Sequence, residues 1–275
     1  DPDELIGAVP PKFGHATFRQ VAVNAVMAGC RPEYLPVVVA ALRAVLEPAY
    51  GLEHRQTTTH AGAPLIIVNG PIVQRLRINC GTGVFGPGWR ANATIGRALR
   101  LVLVNIGGAI PGTGDMSTFG SPAKYSFCVA ENEAESPWEP LHTRYGFKKT
   151  DSAVTLFRGG RYTQAGFGPR ETWKEKFKRV FAACSPRQSP LLVMDPIVAR
   201  LFTGFGFDSK DKLIDWIEEN ATLPAREYWD DQWVQTLLKP LAVSGVEPYA
   251  TNLKAAPDEQ LRMFRAEEIN IVVTG

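Results

Sequence analysis

Glu131, Glu133, Glu135 and Glu139 lie with His142 inside one segment of twelve residues, 131–142. Several carboxylates beside an imidazole suit general acid–base work, or the ligation of a divalent metal. The segment follows an apolar run that ends at Ala130, and open α/β sheets place their ligands just beyond such strand ends. Glu131 and Glu135 are therefore expected as catalytic acid–base groups. The plainer reading is a solvated acidic loop docked by Trp138 and Pro140. Cys30 is a candidate nucleophile, because it precedes Arg31-Pro32-Glu33 at the start of a helix. A positive helix end and an adjacent guanidinium would stabilise a thiolate. Cysteine is also among the most buried residue types, which argues for a small core hydrophobe. Cys80 is the next candidate, whereas Cys128 and Cys184 read as structural, and no Cys-x-x-Cys occurs.

His60 closes Thr57-Thr58-Thr59-His60. Its hydroxyl-rich surroundings could orient the ring, so His60 joins the catalytic candidates. No His-x-x-x-His pair is present, and a metal would need distant segments, with His60, Glu131, Glu133 and His142 as the expected set. The run GTGVFG at 81–86 matches the dinucleotide fingerprint Gly-x-Gly-x-x-Gly. However, 74–79 is a weak strand, Pro87-Gly88 intervene before the next helix, and the ribose-binding acid is replaced by Asn105-Ile106. No nucleotide cofactor is expected. An anion site is the better functional reading, with backbone at Gly86 and Gly88 and the side chains of Arg90, Asn92 and Asn69 receiving a substrate carboxylate; the plainer reading is a structural glycine loop.

These residues must be carried by a folded body. Helical periodicity is expected over 13–30 and 31–46, and again over 89–106, which has glycine-rich loops on both sides. Continuous apolar runs at 64–69, 125–130, 154–157, 191–194 and 269–273 predict strands, and the first is expected to be covered on both faces. Further helices are expected at 171–184, 197–202, 212–220 and 226–238. The helix at 171–184, with Arg170, carries Lys174, Lys176, Lys178 and Arg179 on its solvated side over Trp173, Phe177, Val180 and Phe181. Strands alternating with helices predict an α/β fold with a mostly parallel or mixed sheet. Two lobes, 1–150 and 151–275, or one continuous domain, fit the length of 275 residues.

The chain is 45% hydrophobic and 21% charged, with a formal charge of +2. That balance suggests no generic binding to nucleic acid or anionic membrane. No run approaches the ~18 apolar residues of a membrane span. With four cysteines and an acidic, polar Asp-Pro-Asp-Glu opening, a cytoplasmic protein is expected. No Gly-x-Ser-x-Gly nucleophile elbow occurs.

Longer phrases carry a resemblance. They are VAVNAVMAGCRPEYLP at 21–36, PLIIVNGP at 64–71, VFGPGWRANATIGR at 84–97 and the 131–142 segment. On these phrases the chain resembles a bacterial protein family associated with the UGSC-motif (selenocysteine/cysteine-Gly-Ser-Cys) domain, over most of its length. The resemblance implies a redox-active companion subunit. The chain contains no Gly-Ser-Cys, so no redox dyad is carried onto its own residues. Together these readings predict an oligomeric enzyme, or the larger subunit of one, acting on a small carboxylate-bearing metabolite. Thiol-dependent lyase or reductase chemistry is expected, with Cys30, His60, the glycine loop and Glu131–Glu135 converging on one cleft. The alternatives are a metal-dependent hydrolase or hydro-lyase, and a non-catalytic partner or ligand-binding module.

Overall fold

The computed structural model describes residues 1–159, 162–164, 172–186 and 189–275. The polypeptide forms an α/β structure in two compact units. The first comprises Asp1–Tyr162, Met194–Arg200 and Val272–Gly275; the second comprises Thr163–Val193 and Leu201–Ile271.

The first unit opens with an antiparallel hairpin, β1 (Leu5–Val9) against β2 (Gly14–Thr17). Helix α1 (Phe18–Met27) therefore starts later than the 13–30 expectation. The reason is local. Thr17 accepts a hydrogen bond from the Gln20 amide while the Gln20 side chain returns to the Thr17 N–H, a capping box that sets the helix start. Helix α2 (Leu35–Leu46) follows a 3-10 turn that holds Pro32, and α3 (Leu52–Thr57) follows a second. Thr57 is thus the last helical residue, and only 58–60 leave the helix, in place of the extended run expected over 57–60.

Strand β3 (Ala63–Asn69) occupies the centre of a three-stranded sheet in the order β4-β3-β5. It runs parallel to β4 (Cys128–Ala130) and antiparallel to β5 (Ala153–Gly159), which makes the sheet mixed. Leu65, Ile66, Ile67 and Val68 are at most 2% exposed, so both faces are covered. Between β3 and β4 lie α4 (Ile72–Leu76), where a weak strand was expected, and the long α5 (Arg90–Asn105). One core joins α2 and α5 to the sheet through Val38, Leu42, Ile66, Val68, Ile95, Leu99 and Leu103. Each such side chain contributes about 1.5–3 kcal/mol on leaving water. Gly96 permits the close approach of α5 to the segment that enters β4, because a Cβ there would stand 2.6 Å from the Phe127 nitrogen.

The second unit is mainly helical. Helix α6 (Trp173–Ala182) buries Trp173, Phe177 and Phe181, as its sequence pattern predicts. Its Lys and Arg side chains at 174, 176, 178 and 179 are exposed. Arg170, and the expected start of this helix at 171, lie outside the described residues. Strand β6 (Leu191–Met194) pairs with the last strand of the chain, and α7 (Pro196–Gly204) follows it, capped by Asp195 through the amides of Ile197 and Val198. Trp173 is ringed by Phe177, Phe202, Phe205, Phe207 and Trp216. Helix α8 (Lys210–Asn220) starts ahead of the 212–220 expectation, because the Ser209 hydroxyl caps it by accepting from the Lys212 amide. Strand β7 (Thr222–Pro224) pairs antiparallel with residues 260–262, across the intervening helices. The helix expected over 226–238 is broken. Helix α9 (Ala225–Asp230) stops, Asp231 accepts from the Trp233 and Val234 amides, and a wider turn over Val234–Leu238 leads into α10 (Lys239–Val243). The chain ends with α11 (Tyr249–Asn252), β8 (Gln260–Arg262) and β9 (Asn270–Val273). Among the described residues no helix is long and apolar enough to cross a membrane.

Candidate active site

The parallel pairing of β3 and β4 brings two chain segments to one sheet edge. Asn69 is the last residue of β3, and Glu131 is the first residue after β4. The Glu131 amide still donates to the Val68 carbonyl, at 3.1 Å, so the ladder itself sets the juxtaposition. Asn69 and Glu131 are 0% and 1% exposed. The Asn69 amide nitrogen donates to Glu131 Oε2 at 2.6 Å and to Glu133 Oε1 at 2.9 Å, which uses both of its hydrogens. Glu133 Oε1 also accepts from the Gly70 amide at 2.7 Å. Gly70 has φ +84°, and a Cβ there would meet the Asp151 carbonyl oxygen at 2.0 Å, so this clamp requires glycine.

Glu131 is buried deeper. It accepts from the Leu141 amide at 2.6 Å and from the Val273 amide at 3.5 Å. Leu141 opens a 3-10 turn, Leu141–Tyr145, which turns His142 fully inward. His142 Nε2 lies 3.0 Å from the Lys148 carbonyl, and Nδ1 lies 3.9 Å from Glu133 Oε1 without a hydrogen-bond partner. Asn69 Oδ1 is likewise buried and unpartnered. Glu133 alone of the four reaches water, with 25% of its side chain exposed. The geometry is that of a carboxylate fixed by two donors and backed by an imidazole, with one side open.

Glu135 stands apart from this group. Its carboxylate is 60% exposed and pairs with Arg200 at 3.1 Å, so the expected role beside Glu131 gives way to a surface ion pair. Glu139 is also at the surface, paired with Lys149 at 2.9 Å. His60 is exposed in the connection after α3, where its amide bonds the Thr58 hydroxyl. Among the described residues no three His, Cys, Asp or Glu side chains gather in a way that could hold a metal ion. The expected set of His60, Glu131, Glu133 and His142 is therefore not assembled as one, because His60 sits on a different, exposed segment.

Cys30 and Arg90 form a second neighbourhood, at the start of α5. Cys30 is half-buried and donates to the Thr94 carbonyl at 3.3 Å, while Arg90 Nε donates to the Gly29 carbonyl at 3.0 Å. Burial pushes the Cys30 thiol above its ordinary value, and the Thr94 hydrogen bond and the Arg90 charge pull it back only in part. The lowered thiol pKa expected from the helix end and Arg31 is thus reversed, since desolvation of the thiolate outweighs both attractions. Gly86 and Gly88 lie on an exposed loop, in which the Gly86 amide closes a turn onto the Gly83 carbonyl at 2.7 Å. Asn92 is not available to a substrate. Its amide bonds the Asn79 and Cys128 carbonyls and its oxygen accepts from the Asn79 amide, which ties α5 to the sheet.

Residues not expected from sequence complete the acidic site. The Gly70, Leu141 and Val273 amides donate to it. Backbone donors leave no trace in side-chain chemistry, so the sequence carries no signal for them. The thiol of Cys80, the second cysteine candidate, is raised mainly by burial, against a lowering backbone hydrogen bond and with a smaller push from the Glu133 charge. A separate open cavity of about 400 Å³ is lined by Asp1, Pro2, Glu4, Phe18, Arg19, Ala22 and Leu35, none of which was expected in a site. No protein-family model, curated protein or solved structure matches the chain.

Proposed function

We propose that the chain is an enzyme, or the larger subunit of one, that moves a proton on a small metabolite with Glu133 as the proton-accepting group. The reaction class is lyase-type: Glu133 takes a proton from a substrate carbon, and the electron pair remains on the substrate for elimination or isomerisation. The observation that carries this reading is the clamp on Glu133. One carboxylate oxygen is immobilised by Asn69 and Gly70, and the side chain keeps an open face toward solvent. A general base needs such orientation together with access to the substrate. Glu131, held by the Asn69 side chain and the Leu141 and Val273 amides and 1% exposed, serves to position Asn69. A companion subunit, which the family resemblance implies, would supply electrons if the overall transformation is reductive.

The test is exchange of substrate hydrogen with solvent. The purified protein is incubated in D₂O with a panel of small amino and hydroxy carboxylic acids, and proton NMR follows loss of the C–H signal. Site-specific loss in at least one compound, abolished by Glu133→Gln in a folded variant, supports the reading. Exchange that survives Glu133→Gln removes Glu133 from the reaction.

A further inference from the structure

Helix α1 buries one face in the core and leaves an apolar face bare. Val21 and Ala25 are buried, whereas Val23, Val26 and Met27 are each more than half exposed. Val23 and Met27 stand one turn apart with Val26 beside them, so the three form a continuous ridge over the second half of the helix. The first half of the same helix borders a hollow. Phe18 and Ala22, again one turn apart, line the open cavity of about 400 Å³ together with Leu35 from the start of α2. Charge divides along the helix in the same way. Exposed Asp1, Asp3 and Glu4 lie at the hollow, where Arg19 is paired with Asp3 at 2.8 Å. Past the ridge come exposed Arg31 and Glu33, and Arg90, whose Nε donates to the Gly29 carbonyl at 3.0 Å.

We propose that this face binds a second copy of the chain, with the two α1 helices antiparallel about a two-fold axis between Ala22 and Val23. That axis sets Ala22 opposite Val23 of the second copy, and Phe18 opposite its Met27. Each ridge then enters the other copy's hollow, and the equal one-turn spacing of ridge and lining lets the two rows interdigitate. An isologous interface requires such a self-complementary patch. Charge selects the same orientation: the acidic end of one helix meets the Arg31 and Arg90 end of the other, whereas a parallel pair would set like ends together. A small ligand would fill the hollow and leave the ridge in water, while a second copy covers both. A standard interface takes about 800 Å² from each partner around an apolar centre. A helix of ten residues is about 15 Å long, which places this contact at the low end of that range and the dimer in the micromolar range of Kd.

Sedimentation equilibrium of the purified chain from about 1 to 200 µM tests this, with Val26→Glu beside it. The native chain is expected to pass from monomer to dimer across that range. Val26→Glu should weaken dimerisation at least about hundredfold, because the two-fold axis buries the new charge twice. An exposed helix position accepts glutamate, so circular dichroism and the thermal midpoint should stay as in the native chain. Should Val26→Glu fail to fold, Val23→Glu replaces it, since its two copies would repel each other at the axis. Orientation is read by oxidative cross-linking with the native chain as control. Val23→Cys should form an intermolecular disulfide between its own copies, and Val26→Cys, set apart along the antiparallel pair, should not. A native chain that stays monomeric at 200 µM leaves the face to another occupant and overturns the inference. Undiminished dimerisation by the folded glutamate variants, or cross-linking at position 26 in place of 23, overturns it as well.

Discussion

Asn69→Ala removes the single amide that two carboxylates share. Its nitrogen lies 2.6 Å from Glu131 Oε2 and 2.9 Å from Glu133 Oε1. With amide hydrogens about 120° apart, the two oxygens stand roughly 4.8 Å from each other. Two unit charges at that separation repel by about 3.5 kcal/mol at an effective dielectric of 20, less where Glu133 meets water. The amide offsets this with two charge-assisted hydrogen bonds of about 1.5–3 kcal/mol each. The substitution is therefore expected to destabilise the first unit by about 3–5 kcal/mol. Native-state hydrogen exchange at the Ile66, Ile67 and Val68 amides reads that loss locally, in the strand that carries Asn69. In the Asn69→Ala background, Glu133→Gln removes a repelling charge and should restore at least about 1 kcal/mol, whereas in the native background it breaks a clamp and costs stability. A cost below about 1 kcal/mol for Asn69→Ala, or strictly additive behaviour of the pair, would refute the shared-donor account.

Asp115 is 4% exposed and accepts from Arg100 at 2.6 Å and Lys124 at 2.6 Å. Asp115→Asn should cost about 3–5 kcal/mol in urea unfolding by stranding both cations. Burial alone would raise this carboxyl, but Lys124, the Ser117 amide and Arg100 hold it below its ordinary value of 3.8. A folded pKa below the unfolded one stabilises above pH 3.8 and is lost as the pH falls further. Acid titration of stability should therefore be shallower below that pH in Asp115→Asn. Cys30 and Cys80 should react with iodoacetamide more slowly than an unperturbed thiol at pH 7, with rates still climbing above pH 9, since both are raised above the ordinary value of 9.0. Mass spectrometry of the labelled peptides checks this, and fast labelling of Cys30 at neutral pH would restore it as a nucleophile. Gly70→Ala should fail to accumulate in soluble form or lose at least about 2 kcal/mol, because its Cβ would meet backbone at Asp151.

The central strand and the long helices were legible because their signals are local. Ile66, Ile67 and Val68 form an unbroken β-branched run, and α2 and α5 keep a helical period with a stop at each end. The β1–β2 hairpin was not legible, since its four-residue second strand sits inside an apolar pattern that also suits a helix. Thr17 and Gln20 were the overlooked signal. The acidic segment was legible as chemistry, because its residue types and its place after an apolar run are both visible in the chain. Its selection was not, as Glu131, Glu133 and Glu135 look alike in sequence. They diverge through partners 62 to 65 positions away, Asn69 and Gly70 for the first two and Arg200 for the third. Cys30 misled for a related reason. Its helix end and Arg31 are local, while the burial that controls the thiol comes from packing near α5.

Glu133 and Glu135 are separated by one residue, and the proposed chemistry divides them completely. Deuterium incorporation from solvent into the metabolite panel, measured side by side for Glu133→Gln and Glu135→Gln, is the most direct test of that division. The clamp on Glu133 predicts that the first variant loses exchange while the second, at a surface ion pair with Arg200, retains it. Exchange kept by Glu133→Gln and lost by Glu135→Gln would contradict the assignment of the reaction to the Asn69–Glu133–His142 cluster.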